Sequence, residues 1–175
     1  LGGIVPGSFV ARGDMEKWPL LGYMGKMQQT IYISRKRQDA SDGKSALDRK
    51  ISEGANLIIF AEGTSTDGSK VLPFKSSLFS LALDNAAGRP LTVHPVTISL
   101  LEVAGRPATS GAVRDLYAWH GDMTLPPHLW QFAKGKGARV GVTFHPPREA
   151  SAYTDRKALC NDCHRDVAGG LALAA

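Results

Sequence analysis

The chain has 175 residues, of which 43% are hydrophobic and 21% charged, with a net charge of +5 and a pI near 9.4. That length and balance fit one domain with a real core, 1–175, and exclude global disorder. The basic excess favours anionic partners without choosing among phosphate groups, nucleic acid and an anionic membrane face.

Several classes drop out at once. No run of about 18 apolar residues is present, so no segment reads as a membrane span. Residues 1–10 lack the basic flank and cleavage pattern of a signal peptide. No aromatic-rich nucleic-acid module occurs, so no nucleic-acid partner is expected. The chain opens on Leu1-Gly2-Gly3 rather than Met, which reads as a fragment or a processed chain.

In chain order, short β-rich runs alternate with helical stretches. Strands are predicted at 8–11, 30–34, 57–61, 91–100 and 139–145, each rich in Val, Ile, Thr, Phe or Tyr and bounded by Gly, Pro or charge. Leu57-Ile58-Ile59-Phe60 is apolar on both faces, the mark of a central strand in a covered sheet. Asp14 can cap a helix to about Met27, interrupted by Pro19. Arg35-Lys36-Arg37 fits a solvated strand end. Leu47 and Ile51 share a face of a helix over 44–53 that Gly54 stops. Residues 75–87 carry Leu78, Phe79, Leu81, Ala82, Leu83 and Ala86, a broad apolar surface. Residues 102–137 are rich in Gly and Pro and read as a long excursion with a short helix near Leu129. Thr154 can cap a last helix to about Val167. Strands separated by helices predict an α/β fold, a mixed sheet flanked by helices.

The most informative stretch is Phe60-Ala61-Glu62-Gly63-Thr64-Ser65-Thr66-Asp67-Gly68. It follows the most hydrophobic strand and combines glycines, hydroxyls and carboxylates. Glycines let backbone N–H groups approach a ligand, and hydroxyls add donors, so the loop suits an anion. A polar β-turn with Asp67-Gly68 at its tip explains the same composition. A Walker A loop does not. Lys must directly follow the second Gly, whereas here Ser69 precedes Lys70 and Pro73 soon follows.

Wider blocks carry a family resemblance. Phe60-Ala61-Glu62-Gly63-Thr64-Ser65, then Leu72-Pro73-Phe74-Lys75, then Val93-His94-Pro95-Val96-Thr97-Ile98 resemble the lysophosphatidic acid acyltransferase family, whose members carry Phe-Pro-Glu-Gly-Thr, Pro-Phe-Lys and Pro-Val blocks in that order. Phe9-Val10-Ala11-Arg12, Trp18-Pro19-Leu20-Leu21-Gly22 and Ile31-Tyr32-Ile33-Ser34-Arg35 resemble its second block. Trp119-His120-Gly121-Asp122-Met123 and Pro127-His128-Leu129-Trp130 resemble a bacterial branch that acylates lysophospholipids or lyso-ornithine lipids.

The resemblance implies a glycerolipid acyltransferase-like fold and an O-acyltransferase. A fatty acyl group would pass from an acyl carrier protein (acyl-ACP) or coenzyme A (acyl-CoA) thioester to the hydroxyl of a lysolipid. It implies no cofactor and no metal, an anionic membrane surface as partner, and a location on the cytoplasmic face of a bacterial inner membrane. Arg12 and Arg35 would hold the acceptor's acidic head group, Glu62, Gly63, Thr64 and Ser65 would shape its site, and Pro95 would end a strand beside it. A non-catalytic phosphate- or lipid-binding module is the alternative.

Three departures qualify this. Family members place a His-x4-Asp pair before the second block, the histidine acting as general base and the aspartate orienting it. Five residues after His94, His120, His128, His145 and His164 stand Ser99, Leu125, Ala133, Ala150 and Gly169, so the pair is expected upstream of Leu1. Ser65 replaces an arginine common in the family, removing a bidentate phosphate donor. Ala61 replaces the usual proline.

Cys160-Asn161-Asp162-Cys163-His164 matches the c-type haem attachment pattern. Its context favours a structural reading, because Leu159, Cys163 and Val167 share one helical face and buried cysteine packs as a small hydrophobe. A zinc site would need a fourth ligand that the sequence does not place.

Overall fold

The computed structural model describes residues 1–33, 40–86 and 91–174. The chain falls into two compact units, Leu1–Ala61 and Glu62–Ala175.

In the first unit, β1 (Ser8–Arg12) lies between β2 (Ile31–Ile33) and β3 (Leu57–Ile58), and both pairings are parallel. Parallel neighbours need crossovers, which helices supply. A 3₁₀ segment (Gly13–Lys17) and α1 (Pro19–Met27) join β1 to β2. Pro19 starts α1 rather than interrupting a longer helix, since its missing N–H costs nothing in a first turn. Helix α2 (Ala40–Ser52) precedes β3, with Leu47 buried and Gly54 at φ +83° just beyond its end.

The expected central strand over 57–61 is corrected here. β3 spans two residues and lies at the edge of this three-stranded sheet, while β1 occupies its centre. The run is apolar for another reason: Phe60 leaves the strand, stays 54% exposed and stacks on Phe9 with centroids 6.4 Å apart.

The second unit is antiparallel. β4 (Thr92–Val93) pairs with β8 (Arg148–Glu149), and β5 (Val96–Val103) runs between β6 (Arg106–Pro107) and β7 (Ala138–Phe144). The single strand expected over 91–100 divides at His94-Pro95 into β4 and β5. A 3₁₀ turn (Ser76–Phe79) leads into α3 (Ser80–Ala86), and α4 (Gly111–Arg114) and α5 (Leu125–Ala133) fill the excursion between β6 and β7.

The last helix, α6 (Arg156–Ala174), packs on β5 and on the 3₁₀ turn. It continues past Val167, through Gly169 and Gly170. Gly170 is buried where a Cβ would stand 2.5 Å from Thr97 Oγ1 and 2.7 Å from the His145 ring, so glycine permits the close approach. Thr97 Oγ1 donates to the Val167 carbonyl at 2.9 Å, leaving His145 Nε2 at 2.8 Å to donate to the hydroxyl. Leu159, Cys160 and Cys163 bury against this core with Phe79, Leu81, Val103 and Ala150. Arg148 ties β8 to α6 through Asp166 (2.8 Å from Nε) and Tyr153 (3.0 Å), whose hydroxyl donates to Asp162 at 3.0 Å. These partners raise the Arg148 pKa above its ordinary value, Asp166 most strongly.

Parallel and antiparallel pairings with flanking helices make this an α/β fold. Among the described residues no helix is long and apolar enough to cross a membrane.

Candidate active site

The polar loop follows the edge strand β3 in the chain and belongs to the second unit. Its closure comes from Glu62, whose carboxylate Oε2 accepts the Leu72 backbone N–H at 2.7 Å across ten residues. A charge-assisted bond to a backbone donor is stronger than a neutral one, so Glu62 staples both ends of the loop. Its charge therefore points at a loop amide and not at an incoming anion.

Gly63 follows at φ +67°, a left-handed conformation that side chains rarely adopt. A Cβ there would stand 2.6 Å from Lys75 Nζ, so the lysine packs directly on the glycine. Lys75 is exposed and brings an ammonium to the loop. Sequence reasoning quoted it within Leu72-Pro73-Phe74-Lys75 but gave it no role. Glycine spacing alone cannot reveal it, because the contact depends on the loop folding back at Leu72.

Thr64 and Ser65 follow Gly63 in the chain and are exposed. Beyond them the loop is braced locally. Thr66 Oγ1 accepts the Gly68 N–H at 3.1 Å, and Asp67 Oδ1 accepts from the Ser69 N–H at 3.0 Å and its hydroxyl at 2.7 Å. These bonds, the Ser69 hydroxyl first, hold the Asp67 carboxyl below its ordinary value, with help from the charges of Arg114 and His120.

His120 adds a second feature that sequence reasoning missed. Its Nε2 lies 3.0 Å from Asp115 Oδ1, and His128 Nε2 lies 3.1 Å from the Asp115 carbonyl. The spacing is Asp-x4-His, which a search for aspartate after histidine cannot find.

The remaining predicted residues stand as follows. Arg12 ends β1 in the first unit, where Asp14 holds its guanidinium bidentately, Nε to Oδ1 at 3.0 Å and Nη2 to Oδ2 at 2.8 Å. Both side chains are about half exposed (52% and 50%), so the pair is worth at most about 1 kcal/mol and an anion can compete for the guanidinium. Arg35 lies outside the described residues. Pro95 is buried at the break between β4 and β5, and its carbonyl accepts the His145 N–H at 3.0 Å.

The Cys160 and Cys163 thiols are buried on α6. Burial raises both pKa values, that of Cys163 to about 12. Among the described residues no group of three or more His, Cys, Asp or Glu side chains could hold a metal ion.

Comparison with known proteins covers both units. The chain is 31% identical to a lyso-ornithine lipid O-acyltransferase of Rhodobacter capsulatus over 93% of its length and 57% of the relative. It is 35% identical to the Brucella abortus enzyme of the same name, over 91% and 61%. It is also 31% identical to a 1-acyl-sn-glycerol-3-phosphate acyltransferase of Neisseria gonorrhoeae, over 89% and 57%. The chain thus spans a little over half the length of these relatives. The crystal structure of the 1-acyl-sn-glycerophosphate acyltransferase PlsC from Thermotoga maritima superposes with a TM-score of 0.62 at 19% identity, over 95% of this chain and 56% of that one, which supports the fold. The sequence profile named Acyltransferase matches residues 3–99, from the strands of the first unit through the Glu62 loop and Lys75 to β5. With blocks and fold in agreement over that span, the chain belongs to the acyltransferase family.

Proposed function

We propose that the whole protein is an O-acyltransferase that moves a fatty acyl group from an acyl-ACP or acyl-CoA thioester to the free hydroxyl of a lysolipid, lysophosphatidic acid or lyso-ornithine lipid. The observation that carries this reading is the loop closed by Glu62, with Lys75 packed on Gly63 and the exposed Thr64 and Ser65 next in the chain. An ammonium, two hydroxyls and a glycine backbone can together replace part of the hydration of a compact anionic head group. Lys75 supplies a positive charge where Ser65 stands in place of the family's arginine. As a compact point charge with rotatable donors it accepts acidic groups of varied geometry, whereas a guanidinium fork demands a planar, bidentate match. That tolerance suits an acceptor whose acid is either a carboxylate or a phosphate.

The reaction needs a base to take the proton from the acceptor hydroxyl as its oxygen attacks the thioester carbonyl; the thiol of the donor leaves. The resemblance assigns that base to a His-x4-Asp pair upstream of residue 1, in one acyltransferase domain with residues 1–175. Arg12, once released from Asp14, and Arg35 would add cations for the head group, and Pro95 would fix the start of β5. The names of the relatives support work on lysolipids; the resemblance alone carries the further proposal that this work takes place at the cytoplasmic face of a bacterial inner membrane.

The test is acyl transfer by the protein extended upstream to include the pair, with lysophosphatidic acid and lyso-ornithine lipid offered separately. Turnover is expected with at least one acceptor, and Lys75→Ala should lower kcat/KM about tenfold, the value of one charged contact. Absence of turnover with both acceptors and both donor types would leave a lipid-binding module as the better reading. Turnover by residues 1–175 alone would overturn the upstream base and direct attention to His120 and Asp115.

A further inference from the structure

Helix α5 and the turn after it form a surface that the site does not use. Residues 130–140 are all exposed. Trp130 is 66% exposed and Phe132 44%, although both are large and apolar. Lys134 lies over the Trp130 ring at 5.5 Å, and Lys136 follows in the Gly135–Gly137 turn. No acidic residue occurs between Asp122 and Glu149. Arg139 and Arg148 in that interval are already engaged, by Glu102 and Asp166, so the unspent charge is that of the two lysines beside the aromatics.

The surface also has depth. An open recess of about 500 Å³ lies beside α5, lined by Val103, Leu116, Tyr117, Phe132, Ala133 and Lys136 among others. Phe132 forms part of its wall, edge-on to Tyr117 with centroids 5.1 Å apart. Apolar walls with an ammonium at the rim match an acyl chain beneath an anionic head group. Tryptophan and phenylalanine on an exposed helix, with one lysine at its C-cap and another in the turn that follows, fit the boundary between head groups and acyl chains.

We propose that α5 and the following turn dock the protein on an anionic phospholipid bilayer, with Trp130 and Phe132 entering the interface, Lys134 and Lys136 meeting lipid phosphates, and the recess receiving an acyl chain. The proposal rests on the reading of the protein as one that works on membrane lipids, and it names the face that meets them. An anionic bilayer fits better than a protein partner because the patch joins exposed aromatics to unpaired positive charge and an apolar recess.

The test is sedimentation of residues 1–175 with vesicles of phosphatidylcholine, with and without phosphatidylglycerol. Binding should be stronger to the anionic vesicles and fall as salt rises. Each of Lys134→Glu and Lys136→Glu should weaken it at least about fivefold. Trp130→Ala should weaken it roughly tenfold, and because that ring is already exposed the variant should melt like the parent. Brominated lipid should quench part of the tryptophan emission, and Trp130→Phe should abolish the quenching while Trp18 and Trp119 remain. Equal binding by parent and variants would overturn the proposal. So would a concentration-dependent dimer that Trp130→Ala dissolves, since the patch would then serve a second copy of the chain. Vesicle binding is read without turnover, so its loss leaves the acyl-transfer reading standing, and Lys75→Ala should not change it.

Discussion

Two stretches of this chain look chemical in sequence, and the fold treats them in opposite ways. The loop after β3 keeps its hydroxyls and Lys75 exposed and uses Glu62 to hold its shape. The helix α6 turns its cysteines inward among Leu159, Phe79 and Ala150. Motif spacing alone does not distinguish the cases, since a ligand site and a core helix can present the same letters. Access distinguishes them: donors at a site must reach a ligand, whereas buried thiols held well above neutral pH are neither nucleophiles nor metal ligands without a large cost. The comparison predicts that changes in α6 act on stability, while changes in the loop act on binding.

The largest effect belongs to α6. Gly170→Val would drive carbon atoms into Thr97 and the His145 ring. Overpacking costs about 1–3 kcal/mol, and disruption of the Thr97 hydroxyl bonds would add to it. Denaturant unfolding of the variant should show a lower midpoint by a matching amount. A midpoint unchanged from the parent would mean that α6 does not pack on β5 as described.

The thiols provide the next contrast. The Cys163 pKa is raised from 9.0 to about 12, chiefly by burial, so its folded form keeps the proton where the unfolded form loses it. This contribution is complete below pH 9 and is lost as the pH rises toward 12, at up to about 1.4 kcal/mol per unit. Stability should therefore fall on the alkaline side more steeply in the parent than in Cys163→Ala, measured between pH 8 and 10.5. Iodoacetamide at pH 8 should label the native chain slowly and the unfolded chain fast. Rapid native labelling would contradict the buried-helix assignment.

Glu62 tests the other region. Glu62→Ala removes the carboxylate that accepts the Leu72 N–H, at a cost of about 1–2 kcal/mol spread between loop order and global stability. Acceptor KM should rise in the upstream-extended protein, whereas Glu62→Gln, which keeps an acceptor oxygen, should restore most of it. If both variants matched the parent in KM, the loop would not shape the acceptor site.

Much of this was legible in the residues. Strand β1, the stop of α2 at Gly54 and the family blocks follow from spacing and from where Pro and Gly fall, whereas Asp14 does not cap α1, which starts at Pro19 after the 3₁₀ segment. What was not legible depended on contacts distant in sequence. α6 continues beyond its expected end at Val167 because β5 and His145 accept Gly170. The alternation of β5 also misleads: Thr97 and Ser99 are buried and Ile98 is 42% exposed, because Thr97 finds the Val167 carbonyl and His145 inside. Lys75 could be quoted but not placed, since its position depends on the loop closing at Leu72. The Asp115–His120 pair was hidden by reading the spacing in one direction.

The smallest expected effect is at the tip of the loop, and it refines the distinction between shape and chemistry. Asp67 holds Ser69 through two bonds, and its carboxyl sits below the ordinary 3.8 because both favour the ionised form. A depressed folded pKa gives stability that is present above about pH 4 and lost as the pH falls through the folded value. The group is half-buried at the surface and still reached by solvent, so the contribution is small and screened by salt. Asp67→Asn keeps an acceptor for Ser69 but removes the charge that Arg114 and His120 feel. It should change the melting temperature at pH 7 by a degree or less, and flatten slightly the acid limb of the stability curve. If Asp67 only shapes the turn, acceptor KM in the upstream-extended protein will match the parent. A clear fall in KM would instead show that the carboxylate repels the acceptor's acidic group, and Asp67 would then join Lys75 as a residue that sets which head groups the loop admits.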